Sequence, residues 1–295
     1  MDIIPQLIVN SLISGSIYAL ASVGLALTYG LLRILNFAHG HILMVGAYAF
    51  LLFSGELQFG ILLSSLFTLL FCLVFSWLIL KIFIYPFNKY SSDLPLITTL
   101  ALSTILESLV AMFFGVQVKS LNLTGYESYE VWGVFITPVQ IFIIASAFLI
   151  LLSVAFVIHL SSFGRKIRAL AANTFAAESL AINSSNITLI VFTFSTILSA
   201  FAGIMIGLET NLQPTMGNTY TIKAFAAMIL GGLGNIWGTL AGSILLGFVE
   251  NFSIGLDFGD YNVPAGYKDA FAFMIILLML LFKPKGFFNT KSRTA

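Results

Sequence analysis

Three sets of polar residues interrupt an otherwise apolar sequence, and their types bound the chemistry open to it. The first is Asn36-Phe37-Ala38-His39-Gly40-His41. The second is a pair of isolated carboxylates, Glu107 and Glu250, each in apolar surroundings. The third is the polar island Ser161 to Ser185, which carries Arg165, Lys166 and Arg168. No Ser-His-Asp order and no close pair of carboxylates stands out, so covalent catalysis is not expected. His39 and His41 are two positions apart and leave a helix on different faces. With no Cys or carboxylate adjoining them, they do not read as a metal site. Gly232-Leu233-Gly234-Asn235-Ile236-Trp237 is not a dinucleotide fingerprint, because no strand precedes it and the third glycine is displaced to Gly238. Close glycines in lipid instead permit tight helix contact or a break. No G-x-x-x-x-G-K-[ST] motif occurs, so the chain carries no P-loop for ATP.

These residues must be positioned by elements built for lipid. The 295 residues are 59% hydrophobic and 8% charged, where a soluble domain carries about 25% charged residues. A net charge of +1 gives no basic patch for nucleic acid. The lone cysteine, Cys72, excludes an internal disulfide. The N-terminus lacks the positive region of a cleaved signal peptide, so Ile3–Leu32 is kept as a span. A spanning helix needs roughly 20 apolar residues. By that measure the further runs end at Gly55 and cover Leu57–Leu80, Leu94–Val118, Val131–Leu160, Ser185–Leu208, Ala224–Val249 and Tyr267–Phe282. The expected fold is an all-α polytopic membrane protein of about eight transmembrane helices, some broken or re-entrant, in a single domain over 1–295. The glycines at 231, 232, 234 and 238 suggest two short helices within Ala224–Val249. The stretches Gly15–Tyr48 and Gly203–Gly247 are loosely alike, and repeats around a midplane site are common in transporters.

Lys and Arg in short loops set the orientation. One set of loops carries Arg33, Lys81, Lys89, Arg165, Lys166, Arg168, Lys283, Lys285, Lys291 and Arg293; the other carries Lys119, Lys223 and Lys268. The first set, with the polar island and the C-terminus, is expected in the cytoplasm. The N-terminus then lies outside if Ile3–Leu32 crosses once, and the parity needs Ala224–Val249 to turn back or re-enter. Within the island, Arg165 and Arg168 share a helix face at i, i+3. Asn173 or Thr174 can cap a second short helix over 175–181, with Glu178 near its positive end. Such a knob is either a docking surface or an ordinary positive-inside loop. Asn36, His39 and His41 either satisfy backbone at a helix break or line a passage. Glu107 and Glu250 either face a cavity or pair with a neighbour; Glu250 can also simply reach water.

Four motifs in order carry a family resemblance. The island run Gly164 to Asn173 with Ala177 and Leu180-Ala181-Ile182-Asn183 resembles the loop of ATP-driven importer permeases that docks into the ATPase subunit. Tyr29 to His41, Gly231 to Gly238 with Gly242 and Glu250, and Phe282 to Gly286 are similar to LivH-type branched-chain amino-acid permeases. The resemblance implies an ATP-driven importer permease for branched-chain or related amino acids in a bacterial or archaeal cytoplasmic membrane. It implies that Gly164, Arg165, Arg168, Ala169, Asn173, Ala177 and Ile182 form the coupling surface. It favours a passage drawn from Asn36, His39, Gly40, Glu107, Gly232, Gly234 and Glu250. The implied partners are a second permease subunit (LivM-type), two ATP-binding subunits (LivG/LivF-type) holding ATP-Mg, and an extracytoplasmic solute-binding protein docking around Lys119–Tyr129 and Asp257–Gly266. The chain itself is then no enzyme and holds no cofactor. The other readings are a permease for urea or short amides and a secondary transporter that works without an ATPase. A membrane enzyme would need a catalytic cluster that the sequence lacks.

Overall fold

The computed structural model describes residues 3–33, 35–88, 94–121, 128–131, 133–255, 264–283 and 286–288. The chain is a bundle of helices. Helix α1 (Ile3–Leu32) is followed by α2 (His39–Leu51), which runs into a wider turn over Leu52–Glu56. Helix α3 (Ile61–Ile79) continues through a similar turn into α4 (Tyr85–Asn88). Then come α5 (Leu94–Phe114), the strands β1 (Tyr129–Val131) and β2 (Val134–Ile136), and α6 (Pro138–Leu160). The island forms α7 (Ser162–Ala172) and α8 (Thr174–Ser179); α9 (Ser184–Glu209), α10 (Met216–Gly231), α11 (Ile236–Gly255) and α12 (Lys268–Phe282) complete the chain.

Five of the described helices are long and apolar enough to cross a membrane: α1, the 61–87 rod, α5, α6 and α9. A sixth crossing results if α10 and α11, bent by 118°, form one broken span. Helices α2 and α12 have 13 and 15 residues and are shorter than a full crossing. The bend between α10 and α11 accords with two short helices in the glycine-rich stretch. Gly232 and Gly234 take φ of 109° and 78°, a backbone that residues with a Cβ rarely adopt.

Two boundaries differ from the sequence expectation. The run taken as a span from Val131 begins as an antiparallel β-hairpin, with Tyr129 opposite Ile136. Gln6 secures it, donating to and accepting from the backbone of Phe135 at 3.1 and 2.8 Å. Helix α6 starts only at Pro138, where Thr137 and Gln140 form a capping box. Lys223, expected in an exterior loop, is instead buried in α10.

The packing is that of a membrane protein. Helix α3 buries Ser64, Thr68, Cys72 and Ser76, one stripe at i, i+4, and turns Leu62, Leu66, Leu70 and Val74 outward. A water-soluble helix does the reverse. Small residues let neighbours approach closely: Gly203 lies on the Leu43 carbonyl, Gly46 on Ala200, Gly247 on Ser11 and Gly15, and Gly231 on Gly238. Helices α1 and α11 run antiparallel, with Leu7 beside Gly255 and Gly30 beside Gly234. One end of the bundle gathers Gly30, the Gly232–Gly238 turn, Gly286 and α7; the β-hairpin and the Lys119–Leu212 backbone pair lie at the other.

A methyl group at Gly231 would sit 2.0 Å from the backbone of Gly238, whereas one at Gly60 would meet nothing within 4 Å. Gly231→Ala should therefore cost about 1–3 kcal/mol or more. It should sharply lower the yield of monodisperse protein in detergent, while Gly60→Ala leaves it unchanged. Equal yields and melting temperatures for the two variants would contradict this packing.

Candidate functional site

The polar run Asn36–His41 is where α2 begins inside the bundle. A helix start leaves backbone N–H groups without intrahelical partners, and lipid offers none. Here side chains supply them. Asn36 Oδ1 accepts from Ala38 N–H at 3.1 Å, Thr99 Oγ1 from Phe37 N–H at 3.3 Å, and Thr221 Oγ1 from Gly40 N–H at 3.1 Å. Thr221 belongs to α10, whose own first turn lies against that of α2. A Cβ on Gly40 would come within 2.3 Å of the Gly217 carbonyl, and one on Gly217 within 2.7 Å of the His41 ring. Two short helices thus meet at their N-termini, each with glycine as its second residue.

The third residues of both helices converge on one carboxylate. Asn218 Nδ2 donates to Glu107 Oε2 at 2.9 Å, and His41 Nε2 lies 3.4 Å from the same oxygen. Helix N-termini carry partial positive charge and favour an anion, so Glu107, presented by α5, faces two of them. Beside it opens a cavity of about 390 Å³ lined by Thr104, Glu107, Ser108, Ala111, Val116, Gln213, Pro214 and Thr215. His39 points elsewhere. Its Nε2 is 2.7 Å from the Ala21 carbonyl and 2.9 Å from Ser199 Oγ, tying α2 to α1 and α9.

The residues singled out in the sequence therefore fall into separate places. Asn36, His39 and Gly40 are buried at the helix break, and Glu107 alone of that group borders the cavity. Gly232 and Gly234 form the α10–α11 turn at the far end of α10. Glu250 is fully buried in another cluster rather than open to water. Tyr18 Oη donates to it at 2.6 Å, Lys223 Nζ lies 3.2 Å away, and Lys268 Nζ is 3.8 Å away. Lys223 also pairs with Asp269 at 3.0 Å, so two cations and two anions bind α12 to α1, α10 and α11. Asn218, Thr221 and Lys223 escape the sequence reading because they sit in a stretch that reads as loop. The available signal is only the glycine shared by His39-Gly40-His41 and Met216-Gly217-Asn218 in the corresponding parts of the two halves.

The island folds as a compact knob. Helix α7 buries Gly164, Ile167 and Leu170 and exposes Arg165, Lys166 and Arg168. Gly164 sits against the carbonyls of Val157 and Ile158, and the Arg168 guanidinium donates to the Ile158 carbonyl. Asn173 caps α8, accepting from Ala176 N–H at 3.0 Å. Ala177 is buried, and Ile182 and Ala169 pack at the edge of the core. Glu178 lies in the last turn of α8 rather than at its positive end, because the helix starts at Thr174; it accepts from Ser184 instead. Phe175 and Leu180 are 81% and 77% exposed. Residues 122–127 and 256–263, the centres of the expected binding-protein contacts, lie outside the described residues, as do Lys89, Lys285, Lys291 and Arg293.

Removing one member of a buried ion pair leaves an uncompensated charge and costs about 3–5 kcal/mol, whereas replacing both by apolar residues is often neutral. Lys223→Met should therefore lower the thermal stability of the purified protein strongly, and Lys223→Met with Glu250→Leu should recover most of the loss. A single variant as stable as the parent would refute the pairing.

Known proteins of similar sequence bear on what this arrangement serves. Residues 7–280 match the family described as branched-chain amino acid transport system / permease component. The chain is 32% identical over 296 residues to the high-affinity branched-chain amino acid transport system permease protein BraD of Pseudomonas aeruginosa, covering 95% of this chain and 94% of that one. It is 29% identical over 297 residues to the LivH permease protein of Escherichia coli, with the same coverage. Over 140 residues, 45% of this chain and 42% of the other, it is 34% identical to the ribose import permease protein RbsC of Escherichia coli. No solved structure matches. With a match over nearly its whole length and a bundle of apolar helices around it, this multi-pass membrane protein belongs to the permease family of branched-chain amino acid transport systems.

Proposed function

We propose that the chain is the membrane-spanning subunit of an ATP-driven importer of branched-chain or related amino acids. It receives force from separate P-loop ATPase subunits at the α7–α8 knob. The observation that carries this reading is the construction of the knob. One face is held to α6 through Gly164 and Arg168, with Ile167 buried, while Phe175, Leu180, Arg165 and Lys166 stand in the open. Exposed aromatic and aliphatic side chains on a short, well-anchored element suit a protein partner better than a lipid headgroup. The lack of a P-loop in the chain supplies the reason for such a partner.

The same reading places the knob end in the cytoplasmic space of an inner membrane and the Glu107 cavity toward the exterior. A solute-binding protein delivers its cargo there. A second permease subunit of LivM type completes the passage, and two ATP-binding subunits of LivG/LivF type drive it. Asn36, His39 and Gly40 act by fixing the break at which α2 starts, and Glu107 borders the route itself. Within the knob, Arg168 holds the element to α6, and Arg165 is left to meet the ATPase.

Phe175→Asp in the assembled complex should weaken ATPase co-purification by the equivalent of ~2 kcal/mol or more, with the permease still accumulating in the membrane. Asn173→Leu, which removes the α8 cap worth about 1 kcal/mol, should weaken it less. Association at the parental level in both variants would sink the coupling role.

A further inference from the structure

The Glu107 cavity holds more information than a place on a route. Its carboxylate is fixed by two equivalent positions, the third residues of α2 and α10, and both contacts fall on Oε2. Among the described residues no side chain or backbone group bonds Oε1, and the Glu107 side chain keeps 29% of its surface exposed. The cavity it borders changes character along its wall. Thr104, Ser108, Gln213 and Thr215 are polar, and Ala111, Val116 and Pro214 are apolar. Among the described residues no lysine or arginine lines it, so no fixed cation competes for the carboxylate there. The cationic side chains inside the bundle, Lys223 and Lys268, are engaged with Glu250 and Asp269 on another face.

We infer that Glu107 is the charge-selecting residue of this cavity. It accepts hydrogen bonds from the ammonium group of an aliphatic amino acid while the side chain rests on Ala111, Val116 and Pro214. A charge-assisted bond to a positioned carboxylate is roughly twice as strong as a neutral one. It also disfavours solutes of the same size that lack the ammonium group, because the carboxylate is then left in a partly desolvated site. His41 and Asn218 act as positioning residues: they hold Oε2 and leave the other oxygen for the ligand. Thr215, the N-cap of α10, makes no side-chain capping bond and also lines the cavity. The inference rests on the permease reading for the identity of the solute but not for the selectivity of the cavity, so the two can fail separately.

The test uses the full-length chain in lipid nanodiscs and reads the cavity without transport. Thr104→Cys is exposed and lines the cavity, whereas the native Cys72 is buried. Its rate of modification is compared for a trimethylammonium-bearing and a sulfonate-bearing methanethiosulfonate. The cationic reagent should react faster. Adding Glu107→Gln should reduce that preference by about fivefold or more, as expected for one unit charge a few ångströms away. Glu107→Asp keeps the charge and should keep the preference, which separates loss of charge from loss of fold. L-Leucine should slow modification of Thr104→Cys, and 4-methylpentanoate, which lacks the ammonium group, should not. A reagent preference unchanged by Glu107→Gln, or equal protection or no protection by the two solutes, would overturn the inference. Failure of the ATPase association described above would leave these rates untouched.

Discussion

The structure depends on starting two helices in the middle of a lipid-embedded bundle. Each start exposes N–H groups and a partial positive charge where neither water nor lipid can answer them. The chain meets that constraint at one point. Helices α2 and α10 begin against each other, with Gly40 and Gly217 allowing the approach. Thr221 caps across the junction, and Glu107 faces both ends. Discontinuous helices with facing N-termini are the usual way in which transporters present polar groups at the membrane midplane. Here the arrangement also explains why an acidic residue is tolerated in α5 at all.

Other features follow from that junction. Because α2 starts midway, the segment after α1 must fold back, and Asn36, Thr99 and His39 fix it to α5, α1 and α9. Because α10 also starts midway, it reaches only to the Gly232–Asn235 turn, where α11 departs at 118°. Helix α10 also carries a lysine into the bundle interior, and the Glu250–Lys223–Asp269–Lys268 cluster neutralises it while attaching the short α12. Helix α1 connects both ends: it carries Ala21, which receives His39, and it touches α7 at the knob.

Much of this was legible in the sequence. Composition and run length gave the membrane class and the first span at Ile3–Leu32, since apolar length is a local property. The island gave two short helices and the Asn173 cap because capping is set by a few adjacent residues. The β-hairpin was missed because Val131, Val134, Phe135 and Ile136 are as apolar as any span, and only Pro138 and the Thr137–Gln140 cap mark the true start of α6. Lys223 and Glu250 do not read as a pair in the sequence, because their pairing is a contact across two helices that no spacing rule encodes. Glu107 reads in the sequence as an unusual charge, but its partners His41 and Asn218 are 66 and 111 residues away.

The proposed coupling carries a displacement from the knob to the cavity. The most direct measurement places spin labels at Ser108 of α5 and Thr215 at the start of α10, both lining the Glu107 cavity, in the complex assembled with ATPase subunits. Pulsed dipolar spectroscopy then reads their separation with and without ATP. The account predicts that ATP shifts the distance distribution across the cavity mouth, and that Phe175→Asp abolishes the shift. Identical distributions with and without ATP, in a complex that hydrolyses it, would contradict the coupling of the knob to the Glu107 cavity.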